Sequence, residues 1–176
     1  MALKTLYHGT DIESSKNICR GMNIDVKRGA LQTDFGQGFY TTDDFDRAVR
    51  WAKRKAFARC RQAAVITVLF DEEAARPIIE YFSDDLRWGR FVINNRNGQQ
   101  YIKRVAFQDN NLDARYEITC GRIADIDVVD IAEELNLNGK MLTSLNRILN
   151  TGYPLQIAFH TENSLQYIRK ISYRQV

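Results

Sequence analysis

The chain has 176 residues, 44% hydrophobic and 27% charged, with a formal net charge of +3. That suits one domain over residues 1–176 with a core of its own, and it excludes a disordered chain. The longest apolar run, Ala63 to Phe70, is too short to span a bilayer, and the net charge alone does not announce a nucleic-acid binder.

Met1-Ala2-Leu3-Lys4 reaches strand-like sequence without the charged start and apolar stretch of a secretory signal, so a cytoplasmic protein is expected, with export that ignores cleavable signals left open. Cys19, Cys60 and Cys120 are odd in number and dispersed, and His8 and His160 are the only imidazoles, so neither a disulfide framework nor a metal site is expected.

In chain order, Leu3 to His8 reads as an opening strand punctuated by Gly9, and Asp11 caps a helix through Ile12, Ile18 and Cys19 that Gly21 stops. Residues 22–38 are a polar, glycine-rich loop that delivers Gly36-Gln37-Gly38 to the strand Phe39–Thr42. Thr42 or Asp43 then caps a helix to about Gln62, with Phe45, Ala48, Val49, Ala52 and Ala56 on one face. Ala64 to Phe70 is a β-branched run that predicts a buried strand.

Ser83 caps a helix through Leu86, Phe91 and Val92, against a competing hairpin reading at Asn97-Gly98, and residues 94–111 read as loop. A strand at Tyr116–Cys120, a helix at about 140–149, a strand at Leu155–His160, a helix capped by Thr161 through Leu165 and Ile168, and a last short strand complete the chain. Strands and helices mix without regular βαβ alternation. The class is therefore α+β around a small, mostly antiparallel sheet or split sandwich with flanking helices.

Three stretches carry candidate chemistry. In Tyr7-His8-Gly9-Thr10, His8 and Thr10 share one side of an extended backbone, and the glycine between them lets a flat ligand approach the main chain. An imidazole there can donate to a sugar hydroxyl; the competing reading is that His8 only ends a strand. Gly38 belongs to the glycine-flanked turn that feeds Tyr40. Trp51, eleven residues after Tyr40, falls off the apolar stripe of its helix, so it is available either as one wall of a stacking slot with Tyr40 or as packing under the 22–38 loop. In Tyr153-Pro-Leu-Gln-Ile-Ala-Phe-His160, alternation puts Gln156 and His160 on one, more polar face, where a site would open.

These stretches, from residue 7 to about 170, resemble the ADP-ribosyltransferase superfamily of the diphtheria-toxin and poly-ADP-ribose-polymerase type, whose marks are His, Tyr and Glu on three separated strands. The resemblance implies an enzyme that cleaves the nicotinamide–ribose bond of NAD and passes ADP-ribose to a macromolecular acceptor, as a bacterial toxin or effector would. It implies that Gly9 holds the nicotinamide carboxamide, that His8 and Thr10 contact the adenosine-side ribose, and that Tyr40 and Trp51 sandwich the nicotinamide.

The third mark differs, because Gln156 stands where the family has its glutamate, with Ala158 as the alternative counterpart and Glu162 as the nearest acid on the C-terminal side. An amide can bond a ribose hydroxyl but brings no charge to the developing cation, a loss on the order of 10²-fold in rate. Pro154, two residues before Gln156, removes any hint of the arginine-modifying subclass.

Arg47, Arg50, Arg54 and Arg61 fall within roughly 60° of one another on a helical wheel. Arg50 is thereby a candidate for the NAD pyrophosphate, and the stripe otherwise reads as a solvated face. Two further readings stand beside the transferase: an inactive NAD- or nucleotide-binding module of the same fold, and a nucleic-acid binder using the arginine stripe.

Overall fold

The computed structural model describes residues 3–83, 85–96, 109–124 and 154–176. β1 (Lys4–Asp11) runs on through Gly9, which does not end it. The strand closes where Asp11 becomes the N-cap of α1 (Ile12–Cys19), its carboxylate accepting from Ser14 N at 2.9 Å. Gly21, at φ 68°, sits in the turn that stops this helix.

β2 (Phe39–Thr42) has the expected bounds, and α2 (Phe45–Ala58) buries Ala48, Ala52 and Ala56 as its pattern predicts. The cap of α2 is Asp44, which accepts from Arg47 N at 2.9 Å, and not Thr42 or Asp43. The helix ends at Ala58, short of Gln62, in a Schellman turn. Cys60 takes φ 51°, its N–H bonds Phe57 O at 3.1 Å, and Arg61 N reaches back to Ala56 O at 2.9 Å.

β3 (Ala63–Phe70) follows, then α3 (Glu72–Ala75) and β4 (Ile79–Phe82), two elements that the sequence pattern does not announce. α4 (Asp85–Asn95) takes up Asn94 and Asn95, which composition assigns to loop. β5 (Ile118–Arg122) starts later than Tyr116, and β6 spans Leu155–Phe159. Thr161 Oγ1 accepts from Ser164 N at 3.2 Å, but no α-helix follows: the element is a 3-10 turn at Asn163–Tyr167, and its N-cap position is Glu162. Ile168 already opens β7 (Ile168–Gln175), eight residues and not short. The expected helix at 140–149 and the Asn97-Gly98 hairpin lie outside the described residues.

The fold is α+β. Among the described residues seven strands form one sheet in the order β4-β5-β6-β2-β1-β3-β7, antiparallel except for the β4–β5 pair. Alternation along each strand divides the side chains between two faces. Leu6, Phe39, Ile66, Val68, Phe70, Ile118, Ile157 and Phe159 form the core on the face that α1 covers. On the other face Tyr7 and Val65 pack under α2 with its three buried alanines, and Phe35, Phe82 and Phe91 stack together beneath the loop before β2 and α4. No helix among the described residues is long and apolar enough to cross a membrane.

Candidate functional site

Hydrogen-bond parity along β1 locates the site. Ile12 N donates to Gln62 O at 2.8 Å, continuing the β1–β3 register in which Thr10 faces Ala64 and His8 faces Ile66. Bonded pairs alternate with unbonded ones in an antiparallel ladder, so His8, Thr10 and Ile12 turn their amide groups toward β3. Tyr7 and Gly9 turn theirs the other way, toward β2.

Tyr7 is paired with Thr42, and that is the one rung joining β1 to β2. The next rung would bring Gly9 to Tyr40, and it is replaced. Tyr40 O accepts instead from His8 Nδ1 at 2.6 Å, and Gly9 O accepts from Lys55 Nζ at 3.0 Å. β2 meanwhile stays in register with β6 from Phe39 to Thr42. The two strands part at His8–Gly9, and the peptide edge of Gly9 faces the opening.

A carbonyl only accepts, so Nδ1 of His8 carries the ring proton and Nε2, without a hydrogen-bond partner among the described residues, is left as an acceptor. The ring stacks on Phe39 with centroids 4.4 Å apart, and burial, with the nearby Lys55 ammonium adding to it, lowers its pKa to about 3. His8 is therefore neutral at physiological pH. The expected donor to a sugar hydroxyl is thus an acceptor, because its N–H is committed to the protein. Thr10 lies on the His8 side of the strand and is buried.

Gly9 has a packing reason beside the expected functional one. A Cβ built on it would lie 2.1 Å from Ala48 O and 2.7 Å from Ala52 N, so α2 rests directly on the strand there. The space that the missing side chain leaves is filled by helix, and Gly9 itself is buried. Gly38 likewise packs against protein: a Cβ would meet Phe159 O at 2.7 Å and His160 Nδ1 at 2.8 Å.

Tyr40 is half-buried, and its hydroxyl is gripped by the preceding loop. It donates to Gly36 O at 2.6 Å, accepts from Phe35 N at 2.9 Å and lies 2.8 Å from Thr33 Oγ1. Burial, and after it the charge of Asp34, raise its pKa above the ordinary tyrosine range against the opposing Thr33 bond. Tyr40 is thus a fixed ring and no acid. Trp51, on α2, is half-buried, and among the described residues its ring pairs with no other aromatic.

Gln156 is placed differently from the expectation of an open polar face. It stands in one row with Thr42 of β2 and Gly121 of β5, and it is 2% exposed. Its Nε2 donates to Asp34 Oδ2 at 2.9 Å. Asp34, a residue without a sequence signal, also accepts from Ala124 N at 2.9 Å and from Arg96 Nε at 2.7 Å, with Arg96 Nη2 closing on the same carboxylate. His160 shares the face of Gln156 and is buried too, its ring nitrogens 2.6 Å from Gln37 O and 2.9 Å from Thr119 Oγ1. The 33–38 loop covers this face, which is why little of it is open.

The arginine stripe is shorter than expected. Arg61 lies beyond the end of α2, and together with Arg59 it binds the buried Asp11, at 3.2 and 2.6 Å. Although burial works against it, Ser14 and these two guanidiniums hold the Asp11 carboxyl well below the usual range. Arg50 and Arg54 remain exposed on the outer side of α2. Among the described residues no group of three or more His, Cys, Asp or Glu side chains could hold a metal ion.

His8, Gly9, Tyr40 and the helix that carries Trp51 thus meet where β1 and β2 separate, Gln156 lies one strand further along the row, and Gly38 and His160 serve the packing of the covering loop. Comparison with curated proteins and with solved structures gives no match. Residues 4–170 match the family described as "Protein of unknown function (DUF3990)", and the chain, covered almost throughout, belongs to that family.

Proposed function

We propose that this chain is an NAD-dependent ADP-ribosyltransferase, acting in the cytoplasm, that cleaves the nicotinamide–ribose bond and passes ADP-ribose to a macromolecular acceptor. The observation that carries this reading is the parting of β1 from β2, which leaves the amide edge of Gly9 out of the β1–β2 ladder, beside His8 and Tyr40. An N–H and a C=O on one extended edge are the complement of a primary carboxamide, which presents one donor and one acceptor in the same plane. The rings of Tyr40 and Trp51 suit the flat faces of a pyridine ring, and the neutral Nε2 of His8 suits a ribose hydroxyl.

When bound, NAD supplies the scissile C–N bond; the chain holds the leaving nicotinamide and orients the sugar toward the acceptor. The test is calorimetric titration with NAD alongside assay of nicotinamide release. Binding and release that both fall in His8→Ala, Tyr40→Ala and Trp51→Ala support the proposal, and wild-type protein that neither binds NAD nor releases nicotinamide overturns it.

A second reading, a module that binds NAD without turning it over, is favoured by one observation: Gln156 is neutral and its amide nitrogen is already bonded within the protein. Stoichiometric NAD binding without nicotinamide release, even with cell lysate as acceptor, would select it.

A further inference from the structure

A glutamine amide has two orientations of nearly equal shape, and only its partners decide which end faces where. At Gln156 the decision is made by one group. Asp34 is held in an ion pair: Arg96 Nε and Nη2 lie on its Oδ1, and Ala124 N donates to Oδ2. It can therefore only accept, and it takes Nε2 of Gln156 at 2.9 Å. Oε1 of Gln156 accepts no hydrogen bond from the described residues and is not sealed from solvent, although the residue as a whole is 2% exposed. The loop that carries Asp34 also holds the Tyr40 hydroxyl through Thr33, Phe35 and Gly36, so one short segment fixes two side chains of the proposed site.

We propose that Asp34 is a positioning residue that turns the Gln156 amide nitrogen inward and its carbonyl oxygen outward, making Gln156 a fixed acceptor for a sugar hydroxyl. The hydrogen bond to a charged acceptor is stronger than a neutral one and polarises the amide, placing more negative charge on Oε1. An amide so held reproduces the accepting half of a carboxylate without its full charge. This inference rests on the proposed NAD site for its ligand, whereas the amide orientation stands on the geometry alone.

Two measurements on the full chain test it separately. In nitrogen-15 spectra, the side-chain NH2 of Gln156 is expected to exchange with solvent far more slowly than exposed glutamines; free exchange overturns the assignment whatever the protein's activity. For nicotinamide release, Asp34→Asn is expected to lower kcat about 10²-fold with KM for NAD changed less than about 2-fold, since a misaimed group costs rate more than binding.

Combining Asp34→Asn with Gln156→Glu puts an amide donor opposite a carboxylate and is expected to recover at least the wild-type kcat. A double variant no better than Asp34→Asn means that Asp34 only supports the fold, because neither variant restores its hold on Arg96 and Ala124. If the single variant does not fold, the double variant and the exchange measurement still decide. Wild-type protein that neither binds NAD nor releases nicotinamide refutes the NAD site, and with it the sugar-hydroxyl role, while the amide orientation is still decided by exchange.

Discussion

Gln156→Glu supplies the missing acid, yet it sets a second carboxylate where Nε2 now lies 2.9 Å from Asp34 Oδ2. At an effective dielectric of about 20, two full charges at that distance repel by about 6 kcal/mol, before Arg96 offsets part of it. The alternative is that the introduced carboxyl keeps its proton. Holding a glutamate side chain of ordinary pKa about 4.3 protonated at pH 7 costs about 4 kcal/mol, at about 1.4 kcal/mol per unit, and the protonated group donates to Asp34 as the amide did.

Protonation is the cheaper course. The single variant is therefore expected to be destabilised by about 3–4 kcal/mol at pH 7, about 8–15 °C in Tm for a domain of this size. Because the folded pKa of the introduced carboxyl is raised, the deficit shrinks by about 1.4 kcal/mol per pH unit on acidification, to about 1 kcal/mol at pH 5. Urea denaturation of both proteins at pH 5 and 7 reads the difference directly, and any acid sensitivity of the parent cancels in the comparison. Equal stability at pH 7 would refute the Asp34–Gln156 contact, and a gain in nicotinamide release by this variant alone would refute the inference that its carboxylate is neutralised.

Gly9→Ala is expected to cost about 3 kcal/mol or more, because its Cβ would fall 2.1 Å from the backbone oxygen of Ala48, which no side-chain rotation relieves; thermal unfolding checks it. Wild-type stability is expected to fall as pH drops below about 6.5, since His8 at about 3 and His160 at about 4 stay neutral in the fold while the unfolded chain takes up protons; denaturation at pH 7, 6 and 5 should show that slope. Lys55→Met frees Gly9 O and is expected to tighten nicotinamide binding about 10-fold by calorimetry, a contact to a charged donor having been removed from the acceptor that the carboxamide needs.

Local chemistry is legible wherever local rules decide. Asp11 as a cap, the strand Phe39–Thr42 and the alanine face of α2 all follow from residues within one turn or one strand. The end of α2 is hidden because its stop is a left-handed Cys60, which carries none of the signal that a glycine would. α3 escapes the pattern as a single turn followed by Pro77, and β4 as a four-residue strand that buries only its ends.

Within the site, the motif residues of β1 and β2 can be named from sequence, but the direction of the His8 proton cannot. That direction depends on Tyr40 O, 32 positions away. Asp34 gives no signal, since an aspartate in a polar, glycine-rich loop reads as solvated. Its partners Arg96, Ala124 and Gln156 are 62, 90 and 122 positions distant.

A ladder interrupted after one rung also divides the sheet's hydrogen bonding into two books of strands, β4-β5-β6-β2 and β1-β3-β7, whose backbone networks, among the described residues, share only the Tyr7–Thr42 pair. Shearing or tilting one against the other sacrifices that rung and the His8–Tyr40 tether, and leaves every other strand pairing intact. Amide exchange from the two groups should accordingly follow separate opening free energies, and a ligand bridging the gap would act as a clasp that brings them to a common one.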